Sequence, residues 1–183
     1  MFHEGDAGHS LHLIASGRVA VRVNTVQGDV ATLAVLGPGD TFGEVSIVGE
    51  GHERSASVVT LEPTETLSIN REDLEQLRNE NPAVDRFLVD VLAAHVRRLT
   101  GHVIEALYVP VKKRVLRRLL VLADAYEDAD EIPLSQDDIA SMAGTSRPTA
   151  NKVLREAEDA GMIDIGRRKL RILDRDALER KAR

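Results

Sequence analysis

A helical run from about Pro82 to Leu107 constrains this chain more than any other feature. Val89, Leu92, Val96, Leu99, Val103 and Ala106 follow one another at alternating spacings of 3 and 4. That is a heptad seam, the pattern of a helix that pairs with another helix. Val84, Phe87, Val91 and Ala94 make a second apolar stripe on a neighbouring face. One stripe is expected to pack on the chain's own fold while the other meets a second copy, giving a parallel homodimer. The alternative is a core helix buried wholly within one chain. Tyr108-Val109-Pro110 ends the run, because proline lacks a backbone donor and restricts the residue before it. The chain thus divides at a hinge near Val109-Pro110, and its two sides read differently.

Before the helix, short β-branched or apolar runs recur at residues 11–14, 19–23, 31–36, 55–60 and 64–69. Gly17, Gly28, Gly37-Pro38-Gly39-Asp40 and Glu62-Pro63 separate them as turns. Closely spaced short strands suggest a β-roll or barrel. Residues 71–80 form a short amphipathic helix that stops near Asn81-Pro82.

Within this strand-rich part, residues 39–57 carry a glycine-punctuated stretch with Gly39, Gly43, Gly49 and Gly51. Glu44 follows the second glycine directly, and Arg54-Ser55 comes ten residues later. Glycine lets backbone approach a ligand closely. A helical turn starting near Gly43 would aim N–H groups at an anion. Arg54 can fork two donors onto a phosphate, with Ser55 adding a hydroxyl. An ionised Glu44 only accepts, which suits a sugar hydroxyl and not a phosphate. A phosphate clamp beside a ribose acceptor suggests a nucleotide.

After the hinge, residues 111–125 form a helix whose apolar side, Val115, Leu119, Leu120 and Leu122, is expected to pack on the C-terminal domain. Glu127-Asp128-Ala129-Asp130-Glu131 reads as an acidic loop. Ser135 is an N-cap with Asp138 in a capping-box-like position. Ile139, Ala140 and Ala143 continue that helix, Gly144 breaks it, and Ser146 caps the next. Helix, glycine turn, helix is the helix-turn-helix pattern. Met162–Ile165 and Leu170–Leu173 then form two strands around the basic tip Gly166-Arg167-Arg168-Lys169, a winged hairpin suited to phosphate. In the second helix Arg147 can pair bidentately with guanine. Asn151 and Lys152 lie further along it, and Ser146 and Thr149 are placed for phosphate.

Gly-Asp-Thr-Phe-Gly-Glu with Glu-Arg-Ser-Ala-Ser resembles the phosphate-binding cassette of the cyclic AMP receptor protein and fumarate–nitrate regulator (Crp/Fnr) family. Leu-Ser-Gln-Asp-Asp-Ile-Ala-Ser-Met-Ala-Gly-Thr-Ser-Arg resembles the same family's helix-turn-helix. The resemblance implies an α+β fold in three parts. Residues 1–81 would form a double-stranded β-roll, a jelly-roll-like cyclic nucleotide-binding domain. Residues 82–109 would be a dimerisation helix and hinge, and residues 110–183 a winged helix-turn-helix. It further implies a cytoplasmic homodimer that binds a double-stranded DNA operator, works with RNA polymerase, and answers allosterically to a cyclic nucleotide, cyclic AMP first, with no metal. The family reads adenine through a threonine and a serine on the dimer helix. Counted without gaps from Arg54, those positions fall on Leu99 and Thr100. Leucine cannot hydrogen-bond the adenine amino group, so the base half of the site departs from the pattern. Pro148 stands where the family archetype has a cytosine-reading glutamate, so a different operator is expected. Related rolls also begin with a helix and strand ahead of the segment matching Phe2–Asp6. Either the start is misassigned or the roll carries an uncovered edge.

Composition narrows the rest. There is no cysteine, which removes disulfides and cysteine-held zinc or iron–sulfur clusters, and with them the family's cluster-based oxygen sensors. No apolar run is long enough to span a bilayer, so no membrane role is expected. Net charge is −6. Residues 1–109 carry 8 Lys+Arg against 16 Asp+Glu, net −8, and residues 110–183 carry 16 against 14, net +2. Basic residues cluster at Lys112, Lys113, Arg114, Arg117 and Arg118, and again at Arg167, Arg168, Lys169 and Arg171. Local patches bear on phosphate contact more than the chain total does. One competing reading keeps the regulator but gives it another effector, such as haem or a different phosphorylated metabolite, or none. Its haem candidates are His3, His9, His12, His52, His95 and His102. An enzyme is a second, but no Ser-His-Asp arrangement, metal-ligand spacing or P-loop lysine is present, and a signalling module that binds only protein is a third.

Overall fold

The computed structural model describes residues 1–26, 28–48, 52–126, 131–167 and 169–183. Gly49 and Gly51 of the glycine-punctuated stretch, residues 127–130 of the acidic loop and Arg168 of the wing lie outside the described residues. By backbone proximity the chain forms two units, Met1–Asn24 with Leu36–His102, and Thr25–Val35 with Val103–Arg183.

The first unit contains strands β1 (Ser10–Ser16) and β2 (Val19–Asn24). After β3 (Val30–Leu36) come β4 (Thr41–Phe42), helix α1 (Glu44–Val48), β5 (Ser57–Thr60) and β6 (Glu65–Asn70). β1 pairs antiparallel with both β4 and β6, and β2 pairs antiparallel with β5. β1 is covered on both faces. Ile14, 1% exposed, points inward with Val19, Ala20, Phe42 and Val58, while Leu11 packs with Ile47, Leu74 and Leu88 under the helices. Two helices follow, α2 (Arg71–Glu80) and α3 (Ala83–Tyr108). Asn70 caps α2 by accepting from the Asp73 amide, and Leu74 is that helix's buried anchor.

α3 departs from the expected second stripe. Leu88 is its one buried residue, whereas Phe87 is 46% exposed. The inward stripe is therefore Val84, Leu88, Val91 and His95, with Leu88 and His95 in place of the expected Phe87 and Ala94. Leu88 truncated to alanine costs about 2–5 kcal/mol by the usual cavity penalty. Of the heptad seam, Val89, Val96, Leu99 and Val103 are more than half exposed and Ala106 is exposed, while Leu92 is half-buried.

The second unit is built on α4 (Val111–Ala125), α5 (Gln136–Met142), α6 (Arg147–Asp159), β7 (Ile163–Gly166), β8 (Lys169–Ile172) and α7 (Arg175–Ala182). Val115, Leu116, Leu119 and Leu122 of α4 are fully buried, so Leu116 takes the place expected for Leu120. Ser135 and Asp138 form the capping box of α5, and Ser146 caps α6. Gly144 between them has φ +60°, the left-handed turn that glycine allows. Ile132 bridges to Leu170, tying the segment before α5 to the β7–β8 hairpin. Thr32 of β3, buried, donates its amide to Ser141 Oγ and its hydroxyl to Asp138 Oδ1, each at 2.9 Å.

The basic cluster on α4 is structural. Arg114 donates to the carbonyls of Ala106, Ala143 and Gly144. Arg117 donates to the Ala182 carbonyl and, with the buried Arg118, meets Glu105. Lys112 pairs with Glu156, and Lys113 donates to the Arg183 carbonyl. These cations satisfy helix ends and carboxylates within the unit, so this cluster is not an open phosphate-binding patch.

Candidate ligand pocket and nucleic-acid interface

A pocket opens in the first unit beside β4, α1 and the Arg54-Ser55 segment, with about 430 Å³ of empty space including its mouth. Gly43, Glu44, Arg54 and Ser55 all line it, so four of the six expected ligand residues come together. Leu99 and Thr100 do not. Leu99 is 56% exposed, and the Thr100 hydroxyl turns back to the Val96 carbonyl at 2.9 Å. The helix residues that reach the pocket are His95, one turn before Leu99, and Arg98, just before it. Sequence reasoning raised His95 only among haem candidates. Its place on the inward stripe of α3 was the signal that was missed.

Gly43 makes the local geometry possible. Its φ is +89°, and a Cβ there would lie 2.4 Å from Arg54 Nη1. Arg54 is 4% exposed. Its Nη1 donates to Ser10 O at 2.8 Å, Ser46 Oγ at 2.9 Å and Gly43 O at 3.2 Å, and Nη2 donates to Ser10 Oγ at 2.9 Å. Phe2 stacks over the guanidinium at 4.1 Å. Nε is buried with no partner among the described residues. The end-on donors thus anchor the side chain, while the Nε–Nη2 edge keeps donors for an anion. Burial draws the Arg54 pKa below its ordinary value, and Glu44 and Asp6 partly restore it. The opposing wall offers an acceptor. Glu44 is 3% exposed; its Oε1 meets His95 Nδ1 at 2.9 Å, and its Oε2 is buried without a partner. An unsatisfied buried donor and an unsatisfied buried acceptor on two residues that line one cavity suit a ligand with a phosphate and a hydroxyl.

Two other histidines are engaged away from Glu44. His12 stacks on Phe42 at 4.9 Å with its Nε2 2.8 Å from Ser10 Oγ, and His52 lies 3.1 Å from Arg71. Among the described residues no group of three His, Asp or Glu is arranged to hold a metal ion.

In the second unit three of the eight expected DNA residues, Arg147, Arg167 and Lys169, come together. A groove is lined by Ser135, Asp137, Arg147, Gly166, Arg167 and Lys169. Arg147, Lys152 and Arg167 are exposed. Ser146 Oγ sits 2.9 Å from Thr149 Oγ1 as part of the α6 cap. Asn151 is half-buried with its Oδ1 unpartnered. Arg147 pairs with Asp137 at 3.3 Å, and Lys169 and Arg171 share Glu131 at 2.8 Å each. Three of the wing and recognition-helix cations are therefore held by acids of the same unit.

A buried donor–acceptor pocket on strands, joined in one chain to a winged helix-turn-helix, defines a ligand-sensing DNA-binding protein. The cyclic nucleotide-binding domain family matches residues 1–81, and the Crp-like helix-turn-helix domain matches residues 113–181. The chain is 36% identical over 166 residues to the cyclic AMP receptor protein of Thermus thermophilus, covering 91% of this chain and 76% of that one. It is 31% identical over 189 residues to the CRP-like cAMP-activated global transcriptional regulator of Mycobacterium tuberculosis, covering 100% and 84%. In fold it is similar to FixK2 of Bradyrhizobium japonicum, with TM-score 0.83 at 20% identity over 100% of this chain and 92% of that one. The chain belongs to the Crp/Fnr family of DNA-binding transcriptional regulators. The family's members are regulators and not enzymes. No helix of the described residues is long and apolar enough to cross a membrane.

Proposed function

We propose that this regulator is a homodimer whose affinity for a DNA operator is set by a cyclic nucleotide, cyclic AMP, bound in the Glu44–Arg54 pocket. The observation that carries the reading is the pair of buried, unpartnered atoms in that pocket, Arg54 Nε and Glu44 Oε2. A cyclic phosphate fits the Nε–Nη2 edge of Arg54, with Ser55 beside it, and a ribose hydroxyl fits Glu44 Oε2. The glycine at Gly43 gives the close approach. His95 and Arg98 form the helix wall within one chain, and Leu99 and Thr100 belong to the outward seam that a second copy would cover. The two relatives named for cyclic AMP support this choice of nucleotide.

DNA recognition falls to α6 and the wing: Arg147 for guanine, Ser146 and Thr149 for phosphate, Asn151 and Lys152 along the helix, and Arg167, Arg168 and Lys169 at the wing. Two copies would read half-sites about one helical turn apart. RNA polymerase is the further partner of this reading. Coupling follows from chain continuity. α3 carries His95 at the pocket and, ten residues on, Glu105, which holds Arg117 and Arg118 of α4. A ligand shifts such a system only by binding one state more tightly.

Isothermal titration with cyclic AMP, and with cyclic GMP as comparison, tests the pocket. Saturable micromolar binding of cyclic AMP, abolished by Arg54→Leu, is the expected result. Heat from neither nucleotide, or binding retained in Arg54→Leu, overturns the assignment.

A further inference from the structure

Two acids stand side by side in the first turn of α5, and they face different tasks. Asp138 Oδ2 accepts from the Ser135 amide and hydroxyl, and its Oδ1 accepts from the Thr32 hydroxyl. Asp137 takes no part in that cap. Its carboxylate meets Arg147, the first residue of α6, with Oδ2 3.3 Å from Nη1. The two side chains are 58% and 65% exposed, and an ion pair so exposed adds little to stability. Both line the groove that Gly166, Arg167 and Lys169 of the wing also line. The pair therefore belongs to the DNA-facing side more than to the core.

At the start of α6 few side chains are left to read a base. Pro148 brings no donor or acceptor, and Ser146 Oγ and Thr149 Oγ1 meet each other at 2.9 Å. Arg147 keeps a donor fork. The guanidinium is flat and rigid, and two of its N–H groups together read guanine. With Asp137 on Nη1, the Nε–Nη2 edge is the one left for guanine O6 and N7. A loose arginine loses affinity when DNA immobilises it, and a side chain already held avoids that loss.

We propose that Asp137 is a positioning residue for operator specificity, holding Arg147 by Nη1 so that its Nε–Nη2 edge meets guanine. This rests on the reading of Arg147 as the guanine contact. Asp137 keeps its hold in the complex and does not give way to DNA.

Fluorescence anisotropy of the full chain tests the role, using wild type, Arg147→Ala, Asp137→Ala and Asp137→Glu. The duplexes are an operator selected by the wild type and versions with each base pair changed in turn. Arg147→Ala locates the guanine, as the base pair at which that variant loses discrimination. There Asp137→Ala is expected to lose about threefold to tenfold of the preference for guanine, the range for one side chain left unheld, while Asp137→Glu keeps most of it. Removing an acid near phosphate tightens every duplex alike, so charge alone leaves this ratio unmoved. A melting temperature for each variant separates the effect from unfolding. A folded Asp137→Ala with the wild-type ratio overturns the proposal. So does a higher ratio, the mark of an acid that Arg147 must leave before reading DNA, or a folded Asp137→Glu that matches alanine. An Arg147→Ala that loses discrimination at no base pair refutes the parent reading, and the positioning role with it.

Discussion

Gly43 shows how much of the pocket hangs on single atoms. Its left-handed backbone and the 2.4 Å approach of Arg54 Nη1 leave no room for a side chain. Gly43→Ala should cost roughly 1–3 kcal/mol in backbone strain and displace the guanidinium. The expected result is a lower melting temperature with cyclic AMP binding lost; unchanged binding would contradict the cradle. His12, between Ser10 and Phe42, has its pKa lowered by burial, then by Arg54 and the N-terminus. Folding therefore favours its neutral form, and the unfolded chain binds the proton more readily near the ordinary value of 6.5. Stability from this group is present above about pH 6.5 and falls as pH drops below it. Urea melts at about pH 7.5 and about pH 5.5 should show acid destabilisation that His12→Gln reduces. At this scale Glu44 and Arg54 were legible because glycine, carboxylate and Arg-Ser stand at chemically meaningful spacing. The helix wall was not. Counting along the chain arrived at Leu99 and Thr100, but which face of α3 turns inward depends on Leu88 finding Leu11, Ile47 and Leu74.

Among the elements, the helices and their ends were the most legible, since Ser135 with Asp138 and Ser146 are local signals and the structure uses both as caps. The basic run on α4 was the least legible. Charge in sequence does not say whether a cation faces solvent or a carbonyl, and Arg114 and Arg118 are drawn inward by the ends of α3 and α5. The wing cations face outward but are held by Glu131, whose own pKa is lowered chiefly by the Lys169 hydrogen bond. A phosphate competes for the same donors. Glu131→Gln should tighten duplex binding at low salt and steepen the dependence of log K on log salt by about 1–2, as each added phosphate contact contributes about 0.9. An unchanged slope would show that Lys169 and Arg171 do not reach DNA. The seam on α3 is exposed at Val89, Val96 and Val103. A charge at its centre should prevent pairing, so Val96→Glu is expected to run as a monomer in analytical ultracentrifugation while keeping its helical content. A Val96→Glu dimer of wild-type strength would place the interface elsewhere.

For the molecule as a whole, the charge contrast between net −8 before the hinge and net +2 after it follows the division between the cyclic nucleotide-binding and helix-turn-helix domain matches. The family's two domains were legible in that order because each carries its own local motif. What no local motif carries is the coupling between them, which depends on two states of different energy. The most direct measurement is fluorescence anisotropy of a duplex bearing a selected operator, titrated with the protein with and without saturating cyclic AMP. Cyclic AMP is expected to change operator affinity by at least about fivefold, and Arg54→Leu to bind the duplex but ignore the nucleotide. Equal operator affinity with and without cyclic AMP, in protein that demonstrably binds the nucleotide, would contradict this coupling.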